Sequence, residues 1–127
     1  MSYKFRDIEH KEFFEKWIKT DNKCNPYRKS LFYILGLTKE TRHKIDALYN
    51  TEENYIKFDG LNKEWQTETT LKICRLAFNL YNGSHGEQDE DEKALYYTPY
   101  YIFDCELVVY MLEAVKIRYK EYTGLPY

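Results

Sequence analysis

The sequence predicts an all-α protein: a single compact bundle of about five helices over residues 1–127, with the fourth helix central and a long ordered loop before it. Three observations carry this expectation. Chain breakers are scarce, with 5 glycines and 3 prolines in 127 residues. Asn25-Pro26 and Thr98-Pro99 each pair a good N-cap with proline at the first helical position, where its missing N–H costs nothing. No two stretches of period-two alternation are available to pair, so little or no sheet is expected.

The elements follow in order. Asp7 can cap a first helix over 8–20, with Phe13, Phe14, Trp17 and Ile18 on its apolar face. The second runs over 26–35 and stops at Gly36, a residue suited to a left-handed cap. Thr38 opens a third, whose narrow apolar side (Ile45, Leu48, Tyr49) leaves one face wet. The period breaks over 51–66 and Asp59-Gly60 marks a turn, so this stretch reads as the ordered loop. Tyr55, Ile56, Phe58, Leu61 and Trp65 would fold down from it over the core. The fourth helix, over 69–81, carries Lys72, Arg75 and Asn79 as one thin polar stripe on an otherwise apolar cylinder, the pattern of a helix contacted on most sides. Asn82-Gly83 ends it. A flexible acidic loop over 83–97 follows, too polar to bury. Thr98-Pro99 then opens a long last helix to about residue 122. Leu107, Val108, Met111, Leu112 and Val115 form its interior face, Glu106, Glu113, Lys116 and Lys120 face water, and Gly124 and Pro126 end it.

Composition excludes several classes. The chain has 43% hydrophobic and 31% charged residues with a net charge of −2, a globular mixture. The longest apolar run, 107–112, is far short of the roughly 20 residues of a membrane span. The charged N-terminal stretch 1–14 is not a signal peptide. Three widely spaced cysteines fit reduced thiols, so a cytoplasmic setting is expected. Aromatic residues are abundant at 18%, with 14 tyrosines. Charge is segregated: residues 1–50 carry 11 Lys or Arg against 7 Asp or Glu, and residues 51–127 carry 8 against 14.

Sequence segments Leu31-Phe32-Tyr33-Ile34-Leu35-Gly36-Leu37, Trp65-Gln66-Thr67 and Leu71-Lys72-Ile73-Cys74-Arg75-Leu76-Ala77-Phe78-Asn79-Leu80, followed by Asn82-Gly83 and Tyr97-Thr98-Pro99, carry a resemblance across nearly the whole chain. It resembles a family of small uncharacterised Firmicutes proteins found in mobile-element and phage contexts. The resemblance implies no activity and no catalytic residue. It implies a compact accessory protein that binds a host or element-encoded partner, in the manner of inhibitors of host defence such as anti-CRISPR proteins.

Chemical sites are sparse. His10, His43, His85, Cys24, Cys74 and Cys105 show no short zinc-ligand spacing, so neither metal nor cofactor is implied. Cys24 precedes a helix N-terminus with Arg28 and Lys29 close by, which would lower its pKa, but no partner base is identifiable. Cys105 lies between Asp104 and Glu106, which oppose a thiolate. Ser84-His85 sits in a loop, and no phosphate-binding glycine motif or calcium loop occurs. Arg75, on a mostly buried helix, needs a carboxylate; Asp59 or Glu64 are the expected partners, with Trp65 stacked alongside.

Two binding readings remain. The first is a non-enzymatic protein-binding module. Its acidic run Glu87, Asp89, Glu90, Asp91 and Glu92 leads into Tyr96, Tyr97, Tyr100 and Tyr101. Tyrosines favour contact surfaces, and a line of carboxylates steers towards a basic partner, such as a nucleic-acid-binding host protein. The second is a small nucleic-acid-binding protein using Arg28, Lys29, Lys39, Arg42 and Lys44 of the basic half, which a pI of about 5.9 disfavours.

Overall fold

Local hydrogen-bond chemistry sets where the helices begin. Asp7 accepts the His10 N–H at 2.8 Å and opens α1 (Ile8–Thr20). Asn25 accepts the Arg28 N–H at 3.0 Å, and Pro26 takes the first position of α2 (Pro26–Leu35). Both starts agree with the sequence expectation. The end of α2 does not. Gly36 follows it at φ −79, in the right-handed region rather than the left-handed one. Its glycine is required by space instead: a Cβ would lie 2.8 Å from Cδ2 of His10 and 2.9 Å from Cδ1 of Phe13. The computed structural model describes residues 3–21, 24–87 and 90–123.

The third helix is split. Thr38 caps α3 (Lys39–His43), Lys44 leaves the helical region, and α4 (Ile45–Leu48) follows. The Thr41 hydroxyl donates to the Leu35 carbonyl at 2.6 Å and folds α3 back onto the end of α2. The kink at Lys44 then lets Ile45 and Leu48 enter the core. Within 51–66 there is more order than a loop. Tyr49–Asn50 (β1) and Tyr55–Ile56 (β2) pair antiparallel, Tyr49 opposite Ile56 and Asn50 opposite Tyr55. Asn54 turns the hairpin at φ 62, a conformation asparagine tolerates better than most residues. A 3₁₀ turn follows at Phe58–Asn62. Ile56 and Leu61 are buried as expected, and Phe58 and Trp65 are half-buried, but Tyr55 points outward.

The central helix is α5 (Glu68–Asn82). A reciprocal box starts it: the Thr67 hydroxyl accepts the Thr70 N–H at 3.1 Å, and the Thr70 hydroxyl accepts the Thr67 N–H at 2.7 Å. Gly83 ends it at φ 80, its N–H on the Asn79 carbonyl. The main interface of the molecule lies between α5 and α2, and α2 also packs against α1 and α7. Every α2 residue from Ser30 to Leu35 is buried there, against Ile73, Ala77 and Phe78 among others.

No continuous last helix forms. Thr98 caps a single turn, α6 (Pro99–Ile102); helix resumes as α7 (Val108–Arg118) and α8 (Lys120–Thr123). A donor from α5 sits at the break. In an unbroken helix the Asp104 carbonyl would accept the Val108 N–H. Here Lys72 Nζ takes that carbonyl at 2.7 Å, and the Val108 N–H turns to Cys105. The break also sets the rotation of α7. Met111, Ala114 and Ile117 enter the core. Glu113 is buried too, with Oε2 accepting the Lys4 N–H at 3.0 Å, while Leu112 faces out. For Leu112 and Glu113 this reverses the sequence expectation. Gly124 and Pro126 lie outside the described residues.

Candidate interaction surface

The polar stripe of α5 is the track on which the following segment is laid. Lys72, Arg75 and Asn79 repeat at helical spacing, so their heads emerge along one line. Asn79 Nδ2 donates to the Ser84 carbonyl at 2.9 Å. Arg75 donates from Nε to Oε1 of Glu92 at 3.0 Å and from Nη2 to Oε2 at 2.7 Å. Lys72 reaches the Asp104 carbonyl, as above. Aromatic rings seal the two cations: Arg75 lies 4.6 Å from the centroid of Tyr96, and Lys72 lies 4.9 Å from that of Tyr101. The two tyrosine rings touch, with centroids 5.1 Å apart.

Glu92 is therefore an internal anchor. It is 4% exposed, and the Tyr97 hydroxyl donates to its Oε1 at 2.6 Å. Burial by itself would raise its carboxyl pKa, but the Arg75 fork and the Tyr97 hydroxyl override burial and hold it below the usual carboxylate range. Arg75 thus has a carboxylate partner, though it is Glu92 and not Asp59 or Glu64, and its stacking ring is Tyr96 and not Trp65. Sequence could have hinted at this. Glu92 is the last carboxylate of the run, where aromatic residues resume, and a buried arginine was in need of a fork partner.

This placement divides the acidic and tyrosine-rich set. Glu92 and Tyr97 face inward and are not open to a partner. Tyr96 and Tyr101 are half-buried, each with one ring face on a cation of α5. Glu87, Glu90, Asp91 and Tyr100 are exposed, Tyr100 to 85%, and Leu95 joins them at 54%. Asp89 lies outside the described residues.

The basic set does not share one face. Arg28 is at the start of α2, ion-paired with Asp21 at 2.5 Å. Lys39 and Arg42 are beyond the other end of α2, about 15 Å along its axis. There they line a cleft of about 390 Å³ with Arg6. Arg6 and Arg42 already donate to the Leu37 and Gly36 carbonyls at 2.7 and 2.8 Å, and Asp7, Glu40 and Glu106 offset the cations. Lys29 is half-buried and Lys44 exposed.

Cys24 is a correction. Burial raises its thiol to about 11, Asp21 adds to the rise, and the opposing pull of Lys29 and Arg28 is outweighed. Such a thiol is largely protonated at neutral pH and is no activated nucleophile. Cys74 is fully buried and pushed up to about 12 by that burial.

One titratable group escaped the sequence reading as a structural centre. His10 is fully buried. Its Nε2 meets the Tyr33 carbonyl at 2.7 Å and its Nδ1 accepts the Arg6 N–H at 3.1 Å, which defines a neutral ring with its proton on Nε2. Burial lowers its pKa to about 4. Phe5 and Tyr33 pack edge-on against it, and the Tyr33 hydroxyl donates to the Lys4 carbonyl. Its only sequence signal was a position, three residues past Asp7 and on the same face as Phe14.

Among the described residues no three His, Cys, Asp or Glu side chains gather as a metal site, and no helix is long and apolar enough to cross a membrane. Neither curated proteins nor solved structures match the chain. The family described as a family of unknown function (DUF6075) matches residues 1–125, and the chain belongs to it.

Proposed function

We propose that the protein is a non-enzymatic binding module that docks an acidic, tyrosine-bearing surface on a basic partner protein. The observation that carries this reading is Tyr100. A ring exposed to 85% gains nothing from folding, and it stands with exposed Leu95 on a stretch whose flank carries exposed Glu87, Glu90 and Asp91. Tyrosine offers large contact area and a hydroxyl for little side-chain entropy. Carboxylates around such an anchor speed encounter with a basic surface and disfavour acidic ones. The Glu92–Arg75 anchor supports the reading from beneath, because a segment held before binding has less ordering left to lose. A mobile-element or phage setting, and a role against a host defence system, complete the proposal and rest on the family resemblance alone.

The test compares the wild-type chain with a Tyr100→Ala, Glu87→Lys, Glu90→Lys variant as baits in host lysate, read by mass spectrometry. The expected result is a partner with a basic surface, retained by wild type, lost from the variant and weakened by salt. Equal capture by both baits, with equal circular dichroism, would overturn the reading.

A further inference from the structure

The cleft beside α3 gathers polar side chains from four parts of the chain. Arg6 and Asp7 precede or cap α1, and Lys39, Glu40 and Arg42 belong to α3. Thr69 comes from the first turn of α5, and Glu106 from the segment before α7. At about 390 Å³ the cleft falls within the range of small-ligand sites, roughly 300–1,000 Å³. No residue of the segment that carries Tyr100 lines it, so what it binds is independent of the proposed partner surface.

Its charges balance without pairing. Three cations and three carboxylates line it, and among the described residues no ion pair joins any two of them. The two guanidiniums are fixed. Nη1 of Arg6 and Nη1 of Arg42 sit on the consecutive carbonyls of Leu37 and Gly36, and their remaining N–H donors make no hydrogen bond among the described residues. Spare donors on two held arginines suit an oxyanion, and holding them beforehand lowers the ordering cost of binding. The three carboxylates cancel the local positive charge and so disfavour a phosphate dianion. A carboxylate joined to an ammonium answers both signs at once. Asp7 is committed to the His10 N–H, whereas the exposed carboxylates of Glu40 and Glu106 have no hydrogen bond or ion pair among the described residues. The half-buried Thr69 hydroxyl is likewise unbonded among those residues, and Leu37 and Leu107 are the cleft's only aliphatic side chains without a polar group. That lining favours a polar ligand over an apolar one. We infer that this cleft binds a free polar amino acid, with its carboxylate on Arg6 and Arg42 and its ammonium between Glu40 and Glu106.

Amide NMR titration of the full chain with L-serine, L-asparagine and L-glutamine tests this. At least one is expected to saturate with a Kd of about 1 mM or tighter. The tightest is then compared with its two end-blocked forms, which stand for the ends of a peptide. The N-acetylated acid keeps only the carboxylate, and the C-terminal amide keeps only the ammonium. Each should bind at least about tenfold more weakly than the free amino acid. L-Leucine and inorganic phosphate should also bind more weakly. Arg42→Gln should weaken the free amino acid at least about tenfold. Glu40→Gln with Glu106→Gln should weaken it too, yet leave the N-acetylated acid bound no worse than to wild type. Both variants should keep the wild-type helical circular dichroism. The comparison of probes on the wild-type chain stands even where a variant fails to fold. No saturable shift with any of the three amino acids overturns the inference. So does a blocked form, L-leucine or phosphate that binds as tightly as the free amino acid, or a folded Glu40→Gln, Glu106→Gln chain that binds it as wild type does.

Discussion

Arg75 shows how a single buried charge dictates its surroundings. A guanidinium with so little exposure is tolerable only with a fork partner and its remaining donors directed at polar groups. Glu92, Tyr97 and the ring of Tyr96 supply that environment. Replacing Arg75 by Ala leaves the Glu92 carboxylate buried without its cation and is expected to cost about 3–5 kcal/mol in urea unfolding. Arg75→Met combined with Glu92→Leu and Tyr97→Phe, which removes the hydroxyl that Glu92 satisfies, should recover most of that loss. His10 gives a pH signature. Its folded pKa lies below its unfolded value of 6.5, so the native state refuses a proton that the unfolded chain accepts. Its contribution is therefore full above about pH 6.5, falls as the pH drops towards about 4, and then levels off. The loss is about 3 kcal/mol across that window. A His10→Gln chain should show a flatter stability profile there. Glu92, also lowered, adds a separate loss that begins as the pH falls through the ordinary carboxylate range and continues below it.

Element-level chemistry is concentrated at the ends of α5. The exposed Thr67 makes no core contact that matters to packing, yet it closes one half of the capping box. Thr67→Ala is expected to cost about 1 kcal/mol, measured as a lower unfolding midpoint with an unchanged fold. The 3₁₀ turn before α5 depends on a close approach. A Cβ on Gly60 would lie 2.5 Å from the Ala47 carbonyl oxygen and 2.6 Å from Cδ2 of Leu48. Backbone cannot yield as a side-chain tip can, so Gly60→Ala should cost at least about 1–3 kcal/mol. Gly36→Ala, facing only the His10 and Phe13 side chains at its tightest contacts, should cost less than Gly60→Ala in the same assay.

The whole molecule carries its charge and its apolar surface in separate places. The acidic segment is tied down through Glu92, while its outer carboxylates stay in water. Glu87→Lys with Glu90→Lys is therefore expected to change stability by no more than about 0.5 kcal/mol, although it inverts the local charge. Thermal unfolding beside the binding assay separates this from a folding defect. Glu92→Lys should behave oppositely and destabilise the chain, since it sets a cation against Arg75.

Helix starts were legible in the sequence because capping is local. Asp7, Asn25, Thr38 and Thr98 each act on a backbone N–H three residues ahead, within the reach of a sequence pattern. The apolar bulk of α2 and the striped face of α5 were legible for the same reason. The tertiary structure decided three things that no local pattern holds. Arg75 chose a carboxylate 17 residues away. Lys72 reached a carbonyl 32 residues away, at the point where the last helix is interrupted. That break rotated α7, drawing Glu113 inward and turning Leu112 to the surface. Each outcome depends on donors and surfaces that meet only after the helices pack, and burial makes it matter because an unpaired buried charge or polar group is costly.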